Sequence, residues 1–372
     1  MKVLWLTFIP SPYRIAFFEE LGKQCDLTIL FERASSKTRK GTWDEFDFKG
    51  YTGEILKGIT IGGYDRFCPS VKKYLKDKSY DVVVVSNPTS PTGIYAARFL
   101  KKKKIPYIVE SDGAIPTGKK GLRLRLKKYV MGSAKLCLST AQLHDEYYHE
   151  CGVEPQNVKR YPFTSLFKKD ILTAPLSIEE KIVLKQELGI KEEKILLTVG
   201  RFIYGKGFDV LLNAVKELPK NIGIYFVGGE PTEEYIKLCE DNNLSNAHFL
   251  GFKTPNELKS YYQAADFFVL PTRSDVWGLV INEAMAQGLP VVTTDKCVAG
   301  LELVKNGKNG YIVPVDNIEA LTNAVSELIS CSEEEYKSMS EYSLQLIKGY
   351  TFENMAKVHM GIFEEYIKDN KA

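Results

Sequence analysis

The sequence predicts an α/β protein built from two doubly wound parallel-sheet domains in tandem. Three observations carry this. Short runs of Val, Ile and Leu alternate with helical segments, the mark of parallel strands buried on both faces. The alternation pauses after about residue 168 and then restarts. The charge also divides there: residues 1–168 hold 29 Lys+Arg against 17 Asp+Glu, and residues 169–372 hold 21 against 30. A length of 372 residues suits two domains of ordinary size.

In the first half, KVLWLTFI (2–9) reads as a strand, a helix follows near Tyr13 to Cys25, and DLTILF (26–31) is the next strand. The polar stretch from Glu32 to Gly53, with Gly41, Trp43 and Gly50, reads as a loop. SVKKYLKDKSY is a helix, DVVVVS (81–86) a strand, TGIYAARFLKKKK a helix, and PYIVES (106–111) and KLCLST (135–140) are strands. Lys168 to Lys194 has few strand signals and reads as a linker. In the second half KILLTVG, IGIYFVGG, AHFLGF, DFFVLPT, VVTT and GYIVPV are strands. GFDVLLNAVKEL, EEYIKLCEDNN, PNELKSYYQAA and IEALTNAVSELIS are helices between or after them. A last helix, from Thr351 onward, comes after the second sheet is complete and could pack on either domain.

Composition narrows the function classes. Apolar content of 44 % and charged content of 26 % are those of a globular protein, and no apolar run approaches a bilayer span. The apolar part of MKVLWLTFIPSPYR is short and is broken by Pro10 and Pro12, so it reads as a first strand and not a secretion signal. The seven cysteines are scattered with no C-x-x-C pair, as expected of idle thiols in a reducing cytoplasm.

The stretch SDVWGLVINEAMAQGLPVVTT (274–294) has the strongest local logic. A polar loop follows an apolar strand, Gly278 lets the backbone approach a ligand closely, and a helix opens at Leu279. Gly288 and Pro290 end that helix. A helix N-terminus at the carboxyl edge of a parallel sheet favours an anion, because its free amides and its dipole both point there. Asp275 and Glu283 flank that start with seven residues between them. By themselves they read equally as a turn residue and a solvated helix charge.

Upstream, VGRFIYGKGFDVLL (199–212) places Arg201 and Lys206 between a strand end and a helix, with Gly205 and Gly207 around the lysine. Two cations so placed suit a diphosphate: arginine as a planar fork, lysine as a point charge. Ordinary surface cations are the competing reading. Neither a Walker loop nor G-x-G-x-x-G is present, so nicotinamide and flavin readings lack support.

Taken together these motifs resemble the retaining glycosyltransferases of family 4. The resemblance runs through VGRFIYGKG, FLGF, SDVWGLVINEAMAQGLPVV and VAGLELVKNGKNGYIVPVDN, and is looser in the first half, where SPYRIAFFEEL is reminiscent. It implies the GT-B fold, two Rossmann-like domains facing across a cleft. Residues 1–168 would be an acceptor-binding domain and 169–351 a nucleotide-sugar-binding domain, with helix 352–372 packing back on the first. It implies that Arg201 and Lys206 hold the donor diphosphate, with Gly200 also binding the donor and the amides of Leu279 and Val280 adding contacts. Glu283 would hold the ribose hydroxyls. Asp275, with the backbone of Val276, Trp277 and Gly278, would face the donor sugar. Phe252 and Lys253, in FLGFK, would border the base.

Two departures stand out. The family commonly has Glu first in its E-x7-E pair, where this chain has Asp275, and paired glycines in the first loop, where this chain has IPSPYR. In VESDGA, Glu110 and Asp112 follow a strand. Asp112 is the candidate for the polar active-site residue of that region, and a plain Asp-Gly turn is an equal reading. The pair also admits a metal-ligand reading, but the GT-B resemblance implies that protein cations neutralise the leaving group, so no metal and no cofactor are expected. Asn87, Thr89 and Ser90 are expected to line the cleft, and His144 and His149 to be surface residues.

The last feature is a basic segment, GKKGLRLRLKKYVMGSAK (118–135), where Leu122, Leu124 and Leu126 alternate with Arg123 and Arg125. It suits an anionic membrane surface; a merely solvated face is the alternative, and no base-stacking aromatics support nucleic acid. The function expected is transfer of a sugar from a nucleotide-sugar to a glycan or lipid-linked acceptor, metal-independent, cytoplasmic or peripheral at the inner membrane face. The alternatives are a nucleotide-sugar epimerase, a glycan phosphorylase, and a non-catalytic sugar-nucleotide-binding protein.

Overall fold

The computed structural model describes residues 1–34, 47–63 and 65–371. Gly41 and Trp43, in the expected first loop, lie outside the described residues. The chain forms two compact units, Met1–Thr164 with Thr351–Ala372, and Ser165–Tyr350.

The first unit is built on a seven-stranded sheet of β1 (Lys2–Thr7), β2 (Asp26–Phe31), β3 (Thr52–Ile55), β6 (Val82–Ser86), β7 (Ile108–Glu110), β8 (Leu136–Ser139) and β9 (Val158–Arg160). A small antiparallel hairpin, β4 (Ile59–Ile61) with β5 (Asp65–Phe67), stands apart from it. The large sheet runs β3-β2-β1-β6-β7-β8-β9, all parallel. The Val82–Val85 and Val3–Leu6 runs are buried throughout, as strands covered on both faces must be. The C-terminal helix Phe352–Lys371 packs on helix Pro12–Gly22 of this unit, with His359 4.8 Å from Phe17 and 4.5 Å from Tyr161 between ring centroids.

The second unit holds β10 (Lys194–Val199), β11 (Ile222–Val227), β12 (Ala247–Phe249), β13 (Phe267–Leu270), β14 (Val291–Thr294) and β15 (Gly310–Val313). They run β12-β11-β10-β13-β14-β15, all parallel. After β10 the chain winds outward one way through β11 and β12, then returns to β13 on the other side of β10. The loops leaving β10 and β13 therefore diverge from neighbouring strands, and a doubly wound sheet binds its ligands at such a switch point.

Several elements differ from expectation. The expected linker contains helix Ile178–Glu187, which opens with a Ser177–Glu180 capping box. Its Lys181 and Lys185 are buried: Lys181 donates to the Ala265 carbonyl and the Tyr336 hydroxyl, and Lys185 pairs with Asp266 at 2.8 Å. The two buried side chains of this helix are lysines, so apolar periodicity does not reveal it. The short edge strands β3 and β9, the hairpin, and helices Val298–Leu303 and Glu333–Ile347 also go beyond the sequence reading.

Candidate functional site

The site in the second unit is assembled from the carboxyl ends of β10 and β13. After β10, Gly200 leads to Arg201 and a three-residue 3-10 turn, Tyr204–Lys206. Gly207 follows in the left-handed region at φ 67°, and a Cβ there would lie 2.0 Å from the Pro271 carbonyl oxygen. Only glycine allows the two loops so close. After β13, Thr272 and Arg273 donate to the Gly205 carbonyl, each at 2.8 Å. The outcome is an ion pair between residues distant in sequence: Lys206 Nζ lies 2.7 Å from Asp275 Oδ2. Both side chains are about four-fifths covered, at 20 % and 18 % exposure. A Cβ on Gly200 would contact Lys206 Cδ and Cε at 3.4 Å, so the lysine stem crosses that glycine.

Arg201 is exposed, and its guanidinium makes no hydrogen bond or ion pair among the described residues. Helix Leu279–Ala286 begins beside Asp275 with Gly278 as its N-cap at φ 101°. No side chain caps it and its first turn holds no acidic residue. The amides of Leu279 and Val280 therefore keep the free donors of a helix start. Gly278 is required for a further reason: a Cβ there would sit 2.8 Å from Cys297 Sγ. Gly288 closes the helix in the left-handed region at φ 74°.

Glu283 points into a polar cage. Its Oε1 accepts from the Ser165 hydroxyl at 3.0 Å and its Oε2 from the Tyr262 hydroxyl at 3.1 Å. Burial pushes its carboxyl above the usual range, and the two hydroxyls pull the other way. The Trp277 side chain takes no part in the open site: it is buried, and its Nε1 donates to Asn282 Oδ1 at 2.8 Å. Its carbonyl accepts from the Ala299 amide and the Cys297 thiol. Val276, by contrast, is 49 % exposed.

Phe252 is 73 % exposed on the loop after β12, and Lys253 Nζ lies 5.8 Å from the Tyr261 ring. That loop is tied to the others, for the Gly228 amide donates to the Gly251 carbonyl and the Gly200 amide to the Val227 carbonyl, both at 2.8 Å. Gly228, at φ 129°, would place a Cβ 2.5 Å from the Gly200 oxygen. Sequence reasoning gives Gly228 and Gly229 no role; the available signal is the glycine pair that ends IGIYFVGG. It also misses Ser165, Tyr262 and Arg273, which carry no motif of their own.

In the first unit, Asp112 belongs to a buried network. Arg14 donates to both Glu110 oxygens at 2.7 and 2.9 Å and also to Asp112. Tyr13 donates to Asp112 at 2.5 Å, and Tyr161 and Ser86 donate to Glu110. The Arg14 guanidinium thus supplies the positive charge that the two carboxylates need. Among the described residues no cluster of three His, Cys, Asp or Glu could hold a metal ion. The Asp112 side chain is one-third exposed, and burial raises its carboxyl above the usual range although Arg14 opposes this.

His144 corrects an expectation, since it is fully buried. Its Nδ1 accepts from the Thr140 amide, so Nε2 carries the proton and faces the Ser111 hydroxyl at 2.9 Å. Burial lowers its pKa to about 3. His149 is exposed. Of the residues after β6, Thr89 is exposed, while Ser90 is buried and caps helix Pro91–Lys102. Ser90 donates to Glu32 at 2.7 Å and Asn87 does so at 3.5 Å. Glu32 is another residue that sequence reasoning misses; burial pushes its carboxyl up to about 8.

The basic segment forms helix Leu122–Met131. Leu122 and Leu126, one helical turn apart, are 81 % and 38 % exposed, whereas Leu124 packs against the core. The period-2 alternation therefore does not place all three leucines on one face, because a helix turns about 200° in two residues.

Comparison with known proteins bears on the second unit directly. Residues 180–345 match the family of glycosyl transferases group 1. That segment contains Arg201, Lys206, Asp275 and Glu283. A D-inositol 3-phosphate glycosyltransferase of Corynebacterium urealyticum is 35 % identical over 187 residues, 46 % of this chain and 43 % of that protein. The chain spans about half the length, or less, of the curated relatives it matches. Sucrose-phosphate synthase from Thermosynechococcus elongatus superposes with a TM-score of 0.78 at 17 % identity, covering 99 % of this chain and all of the other. Anabaena HepE, solved with UDP and glucose, gives 0.73 at 18 %, covering 98 % and 99 %. These likenesses show the fold, which is GT-B with two Rossmann-like units. No helix among the described residues is long and apolar enough to cross a membrane.

Proposed function

We propose that this chain is a retaining, metal-independent glycosyltransferase of family 4. It moves a hexose from a nucleotide-sugar to a glycan or lipid-linked glycan acceptor, in the synthesis of a bacterial surface polysaccharide. The observation that carries this reading is the Lys206–Asp275 pair, set at the switch point of the second sheet beside the uncapped start of helix Leu279–Ala286.

In this reading Arg201 and Lys206 bind the donor diphosphate, joined by the Leu279 and Val280 amides and approached closely over Gly200. Preorganised positive charge then meets the negative charge that develops on the leaving nucleoside diphosphate, and such preorganisation commonly contributes more to the rate than any other single effect. Protein cations do here what a divalent metal would otherwise do. Asp275, with the backbone from Val276 to Gly278, accepts from the sugar hydroxyls, and Asp112 serves the sugar or acceptor. Glu283 accepts from the ribose hydroxyls in the cage it shares with Ser165 and Tyr262. Phe252 and Lys253 border the base. Retention follows a front-face route: the departing phosphate takes the acceptor proton while the new bond forms on the side the leaving group vacates.

The test is a thermal-shift screen across UDP-, GDP- and ADP-sugars, followed by a transfer assay with the sugar that stabilises. A ligand bound only by the native state raises the melting temperature. A chain that binds a nucleotide-sugar but neither transfers nor slowly hydrolyses it is a sensor, not an enzyme.

A second observation favours a membrane partner. Leu122 and Leu126 are exposed on a helix that also exposes Arg123, Arg125 and Lys128. Lys119, Lys120, Arg123 and Lys127 line one pocket beside it. Apolar and cationic groups on one exposed helix suit the interface of an anionic bilayer. The protein would then work at the inner membrane face on a lipid-linked acceptor.

A further inference from the structure

We infer that Arg273 is the positioning residue that holds the turn carrying Lys206 in place, and so governs nucleoside-diphosphate affinity without touching the ligand. The inference rests on the reading of Lys206 as a diphosphate-binding residue.

The turn that carries Lys206 is short. Tyr204–Lys206 is three residues long, held internally by Lys206 N to Ile203 O at 2.9 Å and Gly207 N to Tyr204 O at 3.2 Å. A turn of that size with glycine on both sides of the lysine does not fix its own orientation. The remaining bonds come from the β13 loop. The Arg273 amide and the Thr272 hydroxyl both donate to the Gly205 carbonyl at 2.8 Å. Arg273 Nη1 donates to the Tyr204 carbonyl at 2.8 Å, and its guanidinium lies 4.0 Å from the Tyr204 ring centroid.

The guanidinium is itself pinned. Nη1 and Nη2 reach the two Asp209 oxygens at 2.8 and 2.7 Å, a bidentate fork, and Nε lies 2.7 Å from Asp316 Oδ1. The side chain is 13 % exposed. Asp209 stands two residues beyond Gly207, and Asp316 follows β15. One arginine therefore joins the turn after β10, the first turn of helix Phe208–Ala214, the loop after β13 and the segment after β15. Asp275 lies only two residues after Arg273, so the residue that grips the lysine turn also anchors the loop bearing its counter-charge. A bidentate fork has a geometry that lysine cannot copy.

The experiment has two arms on the full chain. The first needs no ligand: hydrogen exchange of the amides in 203–208, in wild type and Arg273→Ala, with circular dichroism confirming a folded variant. Protection in that segment falls at least tenfold if Arg273 is the clamp, and unchanged protection overturns the proposal. The second arm is calorimetric titration with UDP, GDP and ADP of wild type, Arg273→Ala, Lys206→Ala and the double variant. Arg273→Ala weakens binding of the preferred nucleotide about tenfold. In the Lys206→Ala background the same change has an effect within about twofold, because a residue acting through Lys206 has nothing left to position. A full additive loss in that background overturns the proposal, since a merely structural arginine gives it. If Arg273→Ala does not fold, Arg273→Lys, which keeps the charge but loses the fork, gives the same ordering with smaller effects. A wild-type chain that binds none of the three nucleotides refutes the transferase reading instead, and the exchange arm then decides the clamp alone.

Discussion

Lys206 and Asp275 stand 69 positions apart in the chain, and their side chains meet at 2.7 Å. The pair is about four-fifths covered, so its attraction is screened less than that of a surface pair. A ligand phosphate must compete with Asp275 for the lysine, and this sets opposite expectations for the two residues.

Lys206→Ala should weaken nucleoside-diphosphate binding by about 1.5–3 kcal/mol, the scale of a charge-assisted hydrogen bond. Asp275→Asn should leave that binding intact or slightly tighter, because the lysine loses its competing anion, while sugar transfer collapses. Calorimetry with UDP, GDP and ADP, beside a transfer assay, checks both. Equal weakening of free nucleotide by the two substitutions would refute the division of roles.

Glu283→Gln should leave the melting temperature within a few degrees, since an amide can still accept from Ser165 or Tyr262. Free nucleoside-diphosphate affinity should fall by about 1–2 kcal/mol, the difference between charged and neutral acceptors for the ribose hydroxyls. Parallel titrations and melting curves separate the two readouts; a large melting loss with unchanged affinity would make Glu283 a folding residue only.

His359 predicts a pH dependence. Burial lowers its pKa from 6.5 to about 3, so it stays neutral in the folded chain while the unfolded chain protonates it below 6.5. The unfolded state then binds more protons, and stability falls as pH drops from 6.5 toward 3. The contribution is about 1.4 kcal/mol per pH unit. His359→Phe keeps a ring against Phe17 and Tyr161 and removes the titration. Urea unfolding at about pH 7, 6 and 5 should show a flatter slope in the variant, by about half that amount between the first two and by nearly all of it between the last two; parallel slopes would mean the histidine titrates normally when folded.

The exposed basic helix predicts adsorption to anionic vesicles, with about 1 kcal/mol from each cation near the surface, screened within a Debye length. Pelleting should grow with anionic lipid and fall with salt. It should drop when Arg123, Arg125, Lys127 and Lys128 become Ser, and drop again when Leu122→Asp removes the most exposed leucine. Recovery in the supernatant with anionic vesicles at low salt would instead favour a soluble acceptor.

Much of this protein is legible in its sequence. Strand runs such as VVVV and ILLTV, the glycines at 207, 278 and 288, and the order of loop, helix start and strand from Ser274 to Thr294 are local properties. Backbone sterics and hydrophobic periodicity act over a few residues, so two doubly wound sheets and a phosphate-suited helix start follow from the chain alone. Pairing across distance does not. Nothing near Asp275 says that its oxygen meets Lys206, and nothing near Glu283 names Ser165, 118 residues upstream, as a partner. His144 reads as a surface residue because helical spacing does not tell which face is covered, and only packing beneath Tyr148 and Ser111 makes it buried and neutral. Arg14 between Glu110 and Asp112 is the same case, for a buried charge is tolerable only when the fold brings it partners, and those partners come from a different strand and loop. Local sequence was enough for the central strands, most of the helices between them and the charged groups of the site, but not for helix Ile178–Glu187 or the edge strands β3 and β9. Tertiary structure alone decided which charges meet and which groups lose water, because both depend on the order of strands in the sheets and not on neighbours in the chain.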